Sequence, residues 1–100
     1  MNPILHVEIP ASDLARAIAF YQQWLQVVVD EPILLHDCHM AYLPFSDDAT
    51  GASMSLVQGA DYQPSEQGAR LYIGVDDLEA SLDRALQAGA ELLSLIHTSE

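Results

Sequence analysis

Residues 4–14 read ILHVEIPASDL, a stretch that opens with strand-like alternation and closes on a helix-start signal. Period-two spacing predicts a strand over 3–9, with Leu5, Val7 and Ile9 on one face and His6 and Glu8 on the other. Pro10 ends it, because proline has no N–H to give to a ladder. Ser12 or Asp13 then offers an oxygen to the orphan N–H groups at a helix start. From there the spacing Leu14, Ile18, Tyr21, Leu25 draws one apolar stripe along a helix. His6 and Glu8 are both metal ligands and acid–base groups, so their meaning depends on partners elsewhere in the chain.

The same unit returns further on. RLYIGV (70–75) alternates like a strand, and DDLEASLDRALQAG (76–89) comes after it as a helix. Asp76 with Glu79 makes a capping box, Leu78, Leu82, Ala85 and Leu86 form its buried face, and Gly89 is placed as a C-terminal stop. A shift of 64 residues lays Asp13-Leu14 on Asp77-Leu78, Ile9 on Ile73 and Ile18 on Leu82, and it lays His6 on Arg70.

Between the two units, VVVD (27–30) reads as a β-branched strand, and Pro32 interrupts the next stretch, which suggests an edge or a bulge there. CHMAYLPF and SMSLVQ read as two more strands, joined around the turn-rich SDDATG. GADYQPSEQGA (59–69) is linker-like. The chain thus divides into a first unit over 1–60 and a shorter second unit over 68–100, within a single domain. After its helix the second unit has room for one strand and a tail in AELLSLIHTSE, so a symmetric pair would need two more strands beyond Glu100.

Half of the 100 residues are hydrophobic, and a chain of this size buries roughly two-thirds of its unfolded surface. Three arginines (Arg16, Arg70, Arg84) and no lysine stand against 15 carboxylates, for a formal charge of −12. That charge repels phosphate backbones and anionic lipid, which argues against nucleic acid and membrane partners, and it attracts cations. Cys38 is alone, which suits a reducing compartment, and the N-terminus lacks the pattern of a signal peptide. A soluble, cytoplasmic protein is expected.

HVEIPASDLARAIAFYQQWL and RLYIGVDDLEASLDRALQAGAEL resemble the opening strand and helix of the two modules of the vicinal-oxygen-chelate superfamily, which includes glyoxalase I, bleomycin-resistance proteins and extradiol dioxygenases. The resemblance covers residues 3–93. It implies an α+β fold of paired βαβββ modules whose mixed sheet curls into a cup, the second module here incomplete. Family enzymes hold a divalent metal at four positions, and His6 matches the first. The second falls at Ser55 and the third at Arg70, and the fourth has no counterpart in this sequence. Serine is a weak ligand and arginine has no lone pair to give, so no metal and no cofactor are expected.

Other candidates are weaker. LLHDCHM (34–40) lines up His36, Asp37, Cys38 and His39, but an extended strand would send neighbours to opposite faces, and a tetrahedral site would need ligands from elsewhere. Along the strand of 70–75 the alternation turns Arg70, Tyr72 and Gly74 to the cup, where Arg70 either anchors an anionic ligand or pairs with Glu8 or a nearby Asp. Phe20 and Trp24 lie off the main helical stripe and either widen the core or form an associating patch. The expected function is metal-free binding of a small molecule through His6, Glu8, Ser55, Arg70 and Tyr72, as bleomycin-resistance proteins bind their drug. The alternatives are a metal-dependent glyoxalase- or dioxygenase-type enzyme using His6, and a non-catalytic associating protein. An open sheet edge leads us to expect a homodimer, with elements exchanged between its chains in one form of it.

Overall fold

The computed structural model describes residues 3–45 and 51–92. Its elements run β1 (His6–Pro10), α1 (Leu14–Leu25), β2 (Ile33–Leu35), β3 (Cys38–Tyr42), β4 (Ser53–Gln58) and α2 (Leu78–Gln87). The four strands form one mixed sheet in the order β1-β4-β3-β2, so the first βαβββ unit is complete. The sheet is open. β1 lies parallel to β4, with His6 opposite Ser53 and Glu8 opposite Ser55. β3 lies antiparallel to β4, with Tyr42 opposite Ser55.

The core lies between the sheet and α1. Leu14, Val29, Ala41, Leu43 and Leu56 are its buried members, and Ile9, Ala17, Ile18, Tyr21, Leu25 and Met54 pack against them. The predicted stripe of α1 therefore faces the sheet. Between Ser12 and Asp13, the cap is Asp13, whose carboxylate accepts from the Arg16 N–H at 3.1 Å. The Leu14 N–H is taken by Gln58 Oε1 at 2.7 Å, which ties the helix start to the central strand.

The copy 64 residues on caps its helix in the same way: Asp77 accepts from the Ala80 N–H at 3.1 Å. The expected box of Asp76 with Glu79 gives way to this single cap, because Asp77 has the extended backbone that a cap requires. Gly89 sits at φ 111° and ends α2, with the Ala90 N–H returning to the Ala85 carbonyl at 2.9 Å.

Three expectations change. Val27–Asp30 is not a strand. The Val29 N–H goes to Gln22 Oε1 and the Asp30 N–H to the Tyr42 carbonyl, after which Pro32 has no N–H to continue a ladder. The ladder restarts at Ile33, opposite Met40. Residues 70–75 are not a strand either: no strand lies beside them among the described residues, and a strand needs a neighbour for its backbone groups. In α2 the buried residues are Ser81 and Ala85, while Leu78 (59% exposed) and Leu86 face outward. Small side chains let α2 approach α1, where the Trp24 indole N–H donates to Ser81 Oγ at 2.8 Å and Arg84 Nε donates to the Trp24 carbonyl at 3.0 Å. Trp24 therefore widens the core contact, and Phe20 packs beside it at 5.7 Å between ring centres. The segment 93–100, where a last strand was expected, lies outside the described residues, as does most of the SDDATG turn.

Candidate functional site

Alternation along β1 and β4 sends Ile9, Met54 and Leu56 to the core, and His6, Glu8, Ser53 and Ser55 to the opposite face. On that face Tyr42, Ser55 and Glu8 form one row across three strands. His6 leans over this row from the neighbouring position of β1. Its Nδ1 lies 2.6 Å from Ser53 Oγ and its Nε2 lies 3.0 Å from Ser55 Oγ. Tyr42 stands on its other side, with ring centres 5.8 Å apart.

Ser53 Oγ also donates to the Leu5 carbonyl at 3.3 Å, so the hydroxyls of Ser53 and Ser55 between them engage both ring nitrogens of His6 and tie it to the strand backbone. Ser55 is fully buried, and this bond supplies the partner that its hydroxyl requires. The His6 imidazole is thus held at both nitrogens.

Tyr62 joins the site from the segment after β4. A bridge between Gly59 and Tyr62 turns the chain back, and the Tyr62 hydroxyl donates to Glu8 Oε1 at 3.1 Å. Bonding to Glu8, followed by the charge of that carboxylate, raises the pKa of the phenol above its ordinary value. The pairing of Glu8 with Arg70, one of the two readings of that arginine, is not formed, and the Tyr62 hydroxyl bonds Glu8 instead. Arg70 and Tyr72 are exposed, Tyr72 at 87%, and no hydrogen bond or ion pair joins either to His6, Glu8 or Ser55. Their assignment to the inner face depended on a strand at 70–75 that does not form.

These residues do not fit a divalent metal. The one imidazole has both nitrogens engaged, the hydroxyl at the second family position is spent on it, and the third position is an exposed arginine. The second cluster does not converge. His36 and Asp37 form the two-residue turn between β2 and β3, both at positive φ (51° and 64°), and are not an extended row of ligands. Among the described residues no three His, Cys, Asp or Glu side chains gather as a metal would need.

The sequence reading missed Ser53, Tyr42 and Tyr62. The alternation of SMS already puts Ser53 on the face of Ser55, and the register of β3 does the same for Tyr42. Nothing in the linker-like segment marks Tyr62.

Among known proteins, a 91-residue stretch is 30% identical to a probable lactoylglutathione lyase of Vibrio cholerae, covering 86% of this chain and 66% of that one. The fold is similar to a trypanothione-dependent glyoxalase I of Leishmania major, with a TM-score of 0.59 at 20% identity, over 87% of this chain and 66% of that one. It is also similar to an integron cassette protein of Vibrio cholerae, with a TM-score of 0.53 at 16% identity, over 94% and 73% of the two chains. The chain thus spans 66% of the length of its lyase relative. The model of the glyoxalase-like domain matches residues 6–100, and the chain belongs to that family within the vicinal-oxygen-chelate superfamily.

Proposed function

We propose that this chain is a metal-free small-molecule-binding member of its family, taking its ligand on the open sheet face formed by His6, Glu8, Ser55, Tyr42 and Tyr62. One observation carries this reading: both nitrogens of His6 are engaged by Ser53 and Ser55, which leaves no imidazole lone pair for a cation. The face instead offers polar groups at fixed positions beside an aromatic wall, the pattern of a ligand site. The protein works in the cytoplasm, where Cys38 stays reduced. No helix among the described residues is long and apolar enough to cross a membrane.

The test is calorimetric titration with nickel, zinc, manganese and iron(II), followed by a thermal-shift screen of small molecules. The expected result is no stoichiometric metal and at least one saturable ligand whose binding is weakened by His6→Ala or Tyr42→Ala. A stoichiometric metal lost on His6→Ala would overturn the reading.

The 30% identity to a probable lactoylglutathione lyase favours a second reading, a lyase acting on lactoylglutathione. Turnover of that compound by purified protein supplied with metal would establish it. Ile33, Leu34 and Leu35 are exposed on β2 at the edge of the sheet and support a homodimer, which a doubled mass in solution would show.

A further inference from the structure

β1 has a partner on one side only. The sheet order places it at an edge, beside β4 alone. Its ladder uses the Leu5 carbonyl, which accepts from the Ser53 N–H at 3.2 Å, and ends where the Ala11 N–H donates to the Val57 carbonyl at 2.8 Å. Backbone groups alternate along a strand, so those of Leu5, Val7 and Ile9 turn to β4 and those of His6 and Glu8 turn outward. Nothing among the described residues bonds to that outward row. An edge of this kind is a template for another strand.

The same chain carries a segment suited to that edge. Arg70, Leu71 and Tyr72 open the stretch that repeats β1 at a distance of 64 residues, and tyrosine favours strands. They lie outside every strand, with Leu71 47% and Tyr72 87% exposed. Ile73 and Val75 border a cleft with Leu25 and Val27 at the end of α1. One molecule thus holds an edge without a strand and a strand-forming segment without an edge, and within one copy the two do not meet.

One antiparallel register serves both. Glu8 opposite Arg70 sets His6 opposite Tyr72 and Val7 opposite Leu71. Opposite charges then share the face of the candidate site, and two apolar side chains share the other face. A slip of two residues sets Arg70 opposite His6, or opposite Pro10, which has no N–H to give. With 15 carboxylates and three arginines the chain repels its own copy, so an arginine at the junction favours this register. Each copy has both the edge and the segment, so mutual exchange closes at two.

We propose that residues 70–72 of a second copy add to the open edge of β1, with the partner's Arg70 against Glu8 and the partner's Tyr72 beside His6. Each copy thereby brings two residues to the other's sheet face. This rests on the homodimer reading above and assigns its contact to β1 instead of β2, where Pro32 and the two-residue turn leave only three residues.

The experiment is sedimentation velocity on the full chain across a wide concentration range, with amide exchange at both ends of it. A dimer is expected, with the Arg70 and Tyr72 amides protected only at the concentrated end. Tyr72→Pro removes an N–H outside every helix and strand, so it gives a monomer whose melting temperature matches that of the dilute parent chain. Arg70→Glu weakens the dimer at least about tenfold, because twofold symmetry counts the lost pair twice, and adding Glu8→Arg to it restores association. Leu34→Arg, at the other edge, leaves the dimer intact. A dimer that survives Tyr72→Pro, that dissolves in Leu34→Arg, or that the charge swap fails to restore overturns the exchange and leaves the homodimer reading standing. A monomer at every concentration overturns both.

Discussion

Asp13 and Asp77 cap their helices alike, each 3.1 Å from the N–H three residues on, yet the residues before one cap form a strand and those before the other do not. β1 has β4 beside it over five paired positions from His6 to Pro10. Residues 70–75 have the same alternation and no neighbouring strand among the described residues. A helix closes its hydrogen bonds within its own segment, so both copies form one. A strand closes them with another strand, so its sequence can show competence but cannot supply the partner. The two units differ where structure is non-local and agree where it is local.

Amide exchange is the strongest way to break this comparison. The amides of β4, paired on both sides, should exchange slower than those of 71–75 by about a hundredfold or more. Equal protection would mean that the second segment is paired in solution. A matched pair of leucines comes next. Leu14 is buried in the core and Leu78, its counterpart 64 residues on, is mostly exposed. Leu14→Ala should cost about 3 kcal/mol in denaturant melts, and Leu78→Ala no more than about 0.5 kcal/mol. Comparable losses would show that α2 buries a face of its own.

The contact between the units is sharpened by Ser81→Ala, which leaves the half-buried Trp24 indole without its acceptor and should cost about 1–2 kcal/mol. Asp13→Ala and Asp77→Ala should each cost about 1 kcal/mol, and near-equality would support equivalent caps. The smallest effect concerns Tyr62, which belongs to the first unit's face. Its phenol pKa is raised in the fold, chiefly by its bond to Glu8, so the folded state holds that proton more tightly. This contribution is complete below the ordinary tyrosine pKa and is lost as pH rises through the folded value. Tyr62→Phe should therefore flatten the fall in stability seen above about pH 10.

Much of this was legible in the sequence. SMSLVQ is β4 residue for residue, the stripe Leu14, Ile18, Tyr21, Leu25 faces the core, and Gly89 stops α2. Those features depend on local periodicity and on backbone angles that few residues adopt. The valines of 27–30 misled because β-branching marks a preference, and the side chain of Gln22 and the position of Pro32 settled the outcome. The apolar face of α2 misled because its docking is set by small residues opposite Trp24. At the site, the face shared by His6, Glu8 and Ser55 comes from alternation. Arg70 and Tyr72 were assigned through a strand that needs a partner, and Tyr62 arrives through a loop whose path no spacing encodes.

The parallel pairing of β1 with β4 also bears on how quickly the chain folds. The two-residue turn at His36 and Asp37 lets β2 and β3 zip together from adjacent residues, a process of about microseconds for a hairpin. His6 and Ser53 are 47 residues apart, and no tight turn can bring parallel strands into register. Their meeting requires closure of a long loop before any ladder bond repays it. Because Gln58 on β4 holds the first N–H of α1, the helix start is finished by the same late event. A mutation in β4 should therefore slow folding more than one of equal cost in the β2–β3 hairpin.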